Sequence, residues 1–234
     1  MRRLRELTER YGLNERQHEQ LSELLEFLAR ADRAPTTVRN PEQAVDVHIA
    51  DSLTALELEV VQRAQTIADL GAGAGFPGVP LAVALPASEV SLVDSQSRKC
   101  DFLEGMLANT GVQNARVVCV RVEEWHDGAA ANDVVVARAL AAPAVVLEYA
   151  APLLRLGGAL VDWRGRRESV REDAAERAAG ELGLERVEVR RTQPWPGVRD
   201  HHLHVYVKML ETPERFPRRP GVARKRPLGH RGAR

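Results

Sequence analysis

Apolar positions along the chain follow two periods. Between residues 14 and 32 they recur as Leu21, Leu24, Leu25 and Leu28, the i, i+3, i+4, i+7 stripe of a helix with one buried face. Asn14 and Gln17 stand ahead of that stripe with the spacing of a capping box. Residues 34–39 read as a linker. A second helix opens with Asn40 as cap, Pro41 in the first turn and Gln43 completing another box, and it carries Val45, Ile49 and Leu53 inward. From Thr66 onward the pattern changes to short apolar runs alternating with helical ones. Strands are predicted at 65–70, 90–94, 116–121, 133–137, 158–163, 186–192 and 202–208, and helices at 78–85, 96–109, 143–154 and 168–181. That alternation predicts an α/β domain with a mostly parallel sheet covered by helices. The last two strands are separated only by residues 193–200, with two prolines and a glycine, so they are expected to pair antiparallel. No internal repeat is present.

The strongest local signal lies where the first strand meets its helix, in the stretch Thr66 to Gly78, TIADLGAGAGFPG. Gly71, Gly73 and Gly75 let the backbone turn sharply and approach a ligand without a Cβ in the way. The following apolar helix points its N-terminus at them, which is the nucleotide-cradling arrangement of doubly wound folds. Gly73, Gly75 and Gly78 also satisfy a GxGxxG spacing, so the glycines alone admit a dinucleotide, S-adenosylmethionine (SAM) or a structural turn. Asp69 favours SAM, whose sulfonium is positive, because a carboxylate beside the loop would repel a dinucleotide's phosphates. Asp94 closes the second strand nineteen residues past Gly75, where an acid accepts hydrogen bonds from ribose hydroxyls of either cofactor. The Asp69–Gly75 DxGxGxG loop and the seven-strand pattern resemble those of SAM methyltransferases, and the resemblance implies a Rossmann-like SAM-dependent methyltransferase fold, a seven-stranded mostly parallel sheet with its last strand antiparallel, preceded by N-terminal helices.

Composition narrows the class further. A chain of 234 residues with 44% hydrophobic residues can bury a sizeable core. The N-terminal MRRLRELTER lacks an apolar segment after its basic residues, and no run of about 18 apolar residues occurs, so neither secretion nor a membrane span is expected. Cys100 and Cys119 have no ligand-type neighbours and are expected to be small buried residues of a protein in the reducing cytoplasm, with no metal site. The formal net charge of zero conceals an asymmetry: residues 215–234 hold eight Arg or Lys and no acid, against 25 basic and 33 acidic residues before them. Such a tail is either a solvated end or a phosphate-backbone contact. The organisation expected is therefore a helical accessory region over 1–62, a catalytic domain over 63–210 and a flexible basic tail over 211–234.

Six ordered motifs are similar to those of one family: His48-Ile49-Ala50-Asp51-Ser52, the loop Asp69 to Gly78 with its Gly-Phe-Pro-Gly, Leu92-Val93-Asp94-Ser95, Arg121-Val122-Glu123-Glu124, Ala137-Arg138-Ala139, and Phe216-Pro217-Arg218-Arg219-Pro220-Gly221. Together they resemble the bacterial guanine-N7 methyltransferases of small-subunit (16S) ribosomal RNA, called RsmG or GidB. The resemblance implies SAM as cofactor, held by Gly71, Phe76, Asp94, Val122, Glu123 and Arg138, and ribosomal RNA or the small ribosomal subunit as partner. Asp69, Gly73 and Gly75 join that cofactor set from the loop pattern itself. Arg138 ends the apolar run DVVVARA, where a guanidinium needs an acceptor, and it is the candidate catalytic residue, with the cofactor or a substrate phosphate as its expected partner. His48, Asp51 and Ser52 are candidates for substrate binding, as are Arg164 and Arg166 in DWRGR for phosphate contact. The chain departs from the family pattern at Ala34, Pro35 and Val47, and His201-His202 stands where an Arg-His pair is usual. A paralogue acting on another RNA or a small molecule, and a non-catalytic SAM- or RNA-binding module, are the alternatives.

Overall fold

The computed structural model describes residues 1–229. In chain order the helices and strands are α1 (Arg2–Arg10), α2 (Glu15–Arg30), α3 (Pro41–Ala44), a π-helical turn (Val45–Ala50), α4 (Asp51–Leu53), α5 (Glu59–Gln62), β1 (Thr66–Leu70), α6 (Gly78–Ala84), β2 (Glu89–Asp94), α7 (Ser97–Thr110), β3 (Ala115–Cys119), β4 (Asn132–Arg138), α8 (Pro143–Ala150), β5 (Leu154–Arg164), α9 (Ser169–Leu182), β6 (Leu184–Arg191), β7 (His202–Lys208) and α10 (Val222–Lys225). The seven strands form one sheet in the order β3-β2-β1-β4-β5-β7-β6, with β7 antiparallel to both neighbours and the other pairs parallel. The strand order reverses between β1 and β4, so the loops after β1, β2, β3 and β4 converge at one end of the sheet, where α/β folds bind ligands.

The central strands explain their own placement. Ile67, Ala68, Leu70, Val134, Val135, Val136 and Ala137 are all buried, so β1 and β4 have both faces covered, as parallel strands require. One face packs under the N-terminal helices through Leu21, Leu24, Leu25, Leu28, Val45, Ile49 and Leu53, the residues that the helical period selects. The other packs under α8 and α9. The Asn14–Gln17 capping box forms, and the Gln17 side chain goes further: it is buried and its Nε2 donates to Val83 O at 2.8 Å, tying α2 to α6.

Several details depart from the sequence reading. The helix α8 stops at Ala150 instead of reaching 154, because Pro152 lacks the amide needed to continue, and β5 starts earlier than expected at Leu154. Helix α1 went unassigned in the sequence, although Leu4, Leu7 and Thr8 are buried on one face of it. The helix after Pro41 is interrupted by the π-helical turn around His48, a local widening that residue periodicity does not announce. Cys100 and Cys119 are joined in a disulfide between α7 and the end of β3, not free as expected; parallel pairing of Asp94 with Cys119 brings that strand end beside Cys100.

The basic C-terminal segment, expected to be flexible, lies on the body as far as Gly229. Phe216 and Ala223 are buried against α8, and the Arg218 guanidinium makes two hydrogen bonds to the carboxylate of the buried Glu148 on that helix. Apolar anchors spaced among the cations are what hold it; the expectation for 230–234 lies outside the described residues.

Replacing Gln17 by Ala removes its half of the capping box, the Oε1 acceptor for Asn14 N, together with the α2–α6 bridge, while the Asn14 side chain still caps the residue 17 amide. The expected loss is about 1–3 kcal/mol in urea unfolding, with the slope unchanged. A loss below about 0.5 kcal/mol would show that the N-terminal helices are held by apolar packing alone.

Candidate active site

At the end of the sheet where β1 to β4 deliver their loops lies a cavity of 470 Å³. Its floor is Gly71, with Asp94, Ser95 and Gln96 from the end of β2, Val120 to Glu123 from the end of β3, and Ala139 and Leu140 after β4. Tyr149 of α8 and Gly221 and Arg224 from the C-terminal segment close the remaining side. Ala139 takes φ 54°, a left-handed backbone that a non-glycine residue adopts only where its surroundings enforce it. Leu140 then lies so close to Gly71 that a Cβ there would come within 2.6 Å of its Cδ1.

Asp94 organises the cavity. Its Oδ1 accepts from Gln96 N at 3.0 Å, and its Oδ2 accepts from Gly73 N at 3.2 Å and from Lys99 Nζ at 3.3 Å. Gly73 can present its amide this way because it adopts φ 55°. Lys99, a cavity residue that the sequence did not single out, is placed by its position in the first turn of α7, which follows the acid. Val122 and Glu123 line the cavity as expected, and Glu123 Oε1 accepts from Gly221 N at 2.9 Å.

Asp69 does a different job from the one expected. It is buried behind the loop, and its Oδ2 accepts from Gly78 N at 2.8 Å, capping α6. A Cβ on Gly78 would lie 2.6 Å from that oxygen, which is why the helix opens with glycine. The carboxylate thus occupies the helix N-terminus that a dinucleotide's pyrophosphate would need. Burial pushes its carboxyl up to about 7, opposed by the Gly78 hydrogen bond and by the charge of Arg138. Oδ1 has no hydrogen-bond partner among the described residues, so a cation near the loop would favour its ionised form.

Beyond the loop from the cavity, Phe76, His48, Arg138 and Asp51 form one packed group. His48 stacks on Phe76 with ring centroids 4.3 Å apart, and Arg138 Cζ lies 5.7 Å from the Phe76 ring centre. Arg138 Nη1 donates to Asp51 Oδ2 at 2.9 Å and to Val47 O at 3.0 Å, and Nη2 reaches His48 Nδ1 at 3.3 Å. The His48 Nε2 lies 3.1 Å from Val38 O, which can only accept, so the proton sits on Nε2 and Nδ1 is left to accept from Arg138. Burial and the neighbouring Arg138 charge lower the His48 imidazole to about 4, keeping it neutral. His201, which the sequence marks only as a departure from the family pattern, contacts Asp51 Oδ1 through Nδ1 at 3.2 Å, and Trp163 Nε1 donates to Asp51 O at 3.1 Å. The partner expected for Arg138 was a ligand; the structure pairs it with protein acceptors.

The remaining candidates separate from this group. Ser52 is fully buried and its Oγ donates to His48 O at 2.6 Å, a helix-internal bond on a side chain that presents no surface to a substrate. Arg164 is ion-paired to Asp162 and donates to Ala141 O at 2.8 Å, so it props the loop after β4. Arg166 is exposed on the following loop, beside a second cavity of 270 Å³ at the start of α9. Gly75 is filled around by Val79, 2.9 Å from where its Cβ would be, and so serves packing. Among the described residues no group of three or more His, Cys, Asp or Glu side chains is placed to hold a metal ion, and no helix is long and apolar enough to cross a membrane.

The raised Asp69 carboxyl has a signed consequence. The folded state holds its proton to higher pH than the unfolded chain does, so this group's contribution to stability is present at low pH and is lost as pH rises from about 4 to about 7. Asp69→Asn keeps an acceptor for Gly78 N and deletes the titration. Its stability relative to the unsubstituted chain is expected to climb across that window and level off above it. A pH-independent difference in urea midpoints would contradict an elevated Asp69.

Comparisons with known proteins were made on this architecture. The family model "GidB: rRNA small subunit methyltransferase G" matches residues 17–194. A ribosomal RNA small subunit methyltransferase G of Rubrobacter xylanophilus is 38% identical over 220 residues, covering 90% of this chain and 84% of its own. One from Carboxydothermus hydrogenoformans is 35% identical over 196 residues, covering 82% and 83%. Among solved structures, a SAM-dependent O-methyltransferase of Thermotoga maritima aligns with a TM-score of 0.59 at 17% identity over 82% of this chain and 73% of that one. A SAM-dependent methyltransferase of Aquifex aeolicus aligns with a TM-score of 0.56 at 16% identity over 72% and 93%. The structural likenesses carry the fold, and the sequence matches carry the kinship: the chain belongs to the ribosomal RNA small subunit methyltransferase G family.

Proposed function

We propose that this chain transfers the methyl group of SAM to N7 of a guanine in small-subunit ribosomal RNA. The family match across residues 17–194 carries the reading, and the cavity at the ends of β1 to β4 agrees with it. The residues present fit SAM: the α6 N-terminus is already capped by Asp69, Asp69 Oδ1 is an unpartnered oxygen behind the loop, and Asp94 and Glu123 stand at consecutive strand ends. Gly71, Gly73, Asp94, Val122 and Glu123 are the residues that would hold it. When bound, SAM supplies an electrophilic methyl group on a positively charged sulfur.

Guanine N7 carries a lone pair at neutral pH, so the chain needs no general base for this transfer. Its task is alignment and tolerance of the positive charge left on the purine. The residues at the end of β4, Ala137-Arg138-Ala139, differ from the Asn/Asp-Pro-Pro-Tyr of enzymes that methylate exocyclic amines. The neutral His48 and Phe76 offer a stacked apolar pair beside the loop, and Arg138 holds both in place from Asp51. Arg138 is thereby a positioning residue in this reading. Arg166, exposed beyond the loop that Arg164 props, is positioned to meet a backbone phosphate.

The test is transfer of labelled methyl from SAM to small ribosomal subunits, free ribosomal RNA and small-molecule extracts. N7-methylguanosine is located by mild reduction and strand scission. Label at guanine N7 of small-subunit RNA is the expected result. Label on another RNA or only on a small molecule would replace the substrate, and SAM binding without any transfer would leave a non-catalytic binder. In the same assay Arg138→Ala should lose turnover by about a hundredfold or more, with SAM affinity nearly unchanged, as expected for lost alignment. It should also destabilise by about 3 kcal/mol, because the buried Asp51 loses its counter-charge. Unchanged turnover would remove Arg138 from the site.

A further inference from the structure

The family reading places the cofactor in the cavity built by β1 to β4 and gives the C-terminal segment that closes it no part in holding the cofactor. That segment follows β7 and crosses α8, and two independent anchors hold it. Phe216 and Ala223 are buried among the residues of α8 and its neighbours. Between them, Arg218 clasps Glu148 with Nε and Nη2, the Nε contact being 2.8 Å, and Glu148 is only 1% exposed. A bidentate pair on a carboxylate withdrawn from water holds both partners in one geometry. The anchors fix what lies between and after them: Gly221 N on Glu123 Oε1 at 2.9 Å, and Arg224 Nη2 on Leu140 O at 3.3 Å. Tyr149, next to Glu148 on α8, interacts with both Arg224 and Glu123.

The cations of this segment therefore have two distinct surroundings. Arg218 is consumed by the latch. Arg224 lines the cavity with Gly221, on the side of Glu123 and Leu140. Asp94 stands where an acid takes ribose hydroxyls, and Glu123 follows the next strand outward in the sheet order. That is the nucleoside side of the cavity. A guanidinium there is planar and stacks on aromatic faces, and an adenine ring is such a face.

We propose that residues 216–226 are part of the cofactor site, with Arg224 a cofactor-contacting residue for the adenosine moiety and the Arg218–Glu148 pair the latch that positions it. The proposal rests on the SAM reading above and adds residues to it. It also changes what the basic tail is for: removing it should cost SAM affinity and not only contact with RNA.

Two measurements test this on the full chain. Calorimetric titration with S-adenosylhomocysteine and with 5′-methylthioadenosine, which lacks the amino-acid end, is compared for the unsubstituted protein and Arg224→Ala. Arg224→Ala should weaken both ligands by the same factor, about tenfold, the scale of one charge-assisted or stacking contact. Limited trypsin digestion follows cleavage after Arg218, Arg224 and Lys225, the cations of the segment that no proline follows, which saturating S-adenosylhomocysteine should slow. If the unsubstituted protein binds neither ligand, the SAM reading falls and this proposal with it. If it binds both, equal affinities for Arg224→Ala, weakening confined to S-adenosylhomocysteine, or cleavage indifferent to ligand each overturns the proposal and leaves the SAM reading standing.

Discussion

The ion pair between Arg138 and Asp51 joins the two halves of this molecule. Arg138 is the last residue of β4 in the middle of the sheet, and Asp51 belongs to the interrupted helix of the N-terminal layer. Their side chains are 18% and 6% exposed, so the pair is largely removed from water and each charge depends on the other. Its remaining valences are filled as well, by Val47 O, His48 Nδ1, His201 Nδ1 and, at the Asp51 carbonyl, Trp163 Nε1. The result is that β4, β5, the segment before β7 and the π-helical turn meet at one point beside the glycine loop. His48 and Phe76 take their stacked arrangement from that junction.

Three acids divide the labour at the sheet end. Asp51 holds the N-terminal layer down, Asp69 caps the helix behind the loop, and Asp94 holds the loop's front by the Gly73 amide while facing the cavity. Each sits at or near a chain turn, where backbone amides converge and a carboxylate finds donors. The consequence for function is a loop braced from behind and in front, so that binding a ligand need not first order it.

Much of this was legible in the residues. The alternation of apolar runs marks the seven strands, and Gly71 with Asp94 marks the cavity, because strand period and positive-φ turns are local properties. Roles that depend on distant partners were not legible. Asp69 looks the same in sequence whether it faces a cofactor or caps a helix; only the position of Gly78 decides. Arg138 reads as an unpaired cation until Asp51, 87 residues away, is placed against it. Cys100 and Cys119 read as isolated small residues until β3 pairs with β2, and the C-terminal cations read as a free tail until Glu148 is found buried on α8. The π-helical turn left no trace in the periodicity, since Val45, Ile49 and Leu53 stand four residues apart, a spacing that an α-helical turn and a wider one both bring to one face.

The central claim is that the cavity organised by Asp94 is a SAM site. The most direct measurement is calorimetric titration of SAM and of NAD into the unsubstituted protein and into Asp94→Ala. The account predicts that SAM binds the unsubstituted protein, that NAD does not compete with it, and that Asp94→Ala weakens SAM by about 1.5–3 kcal/mol through loss of a charge-assisted contact. NAD binding more tightly than SAM, or undiminished SAM affinity in a folded Asp94→Ala protein, would contradict it.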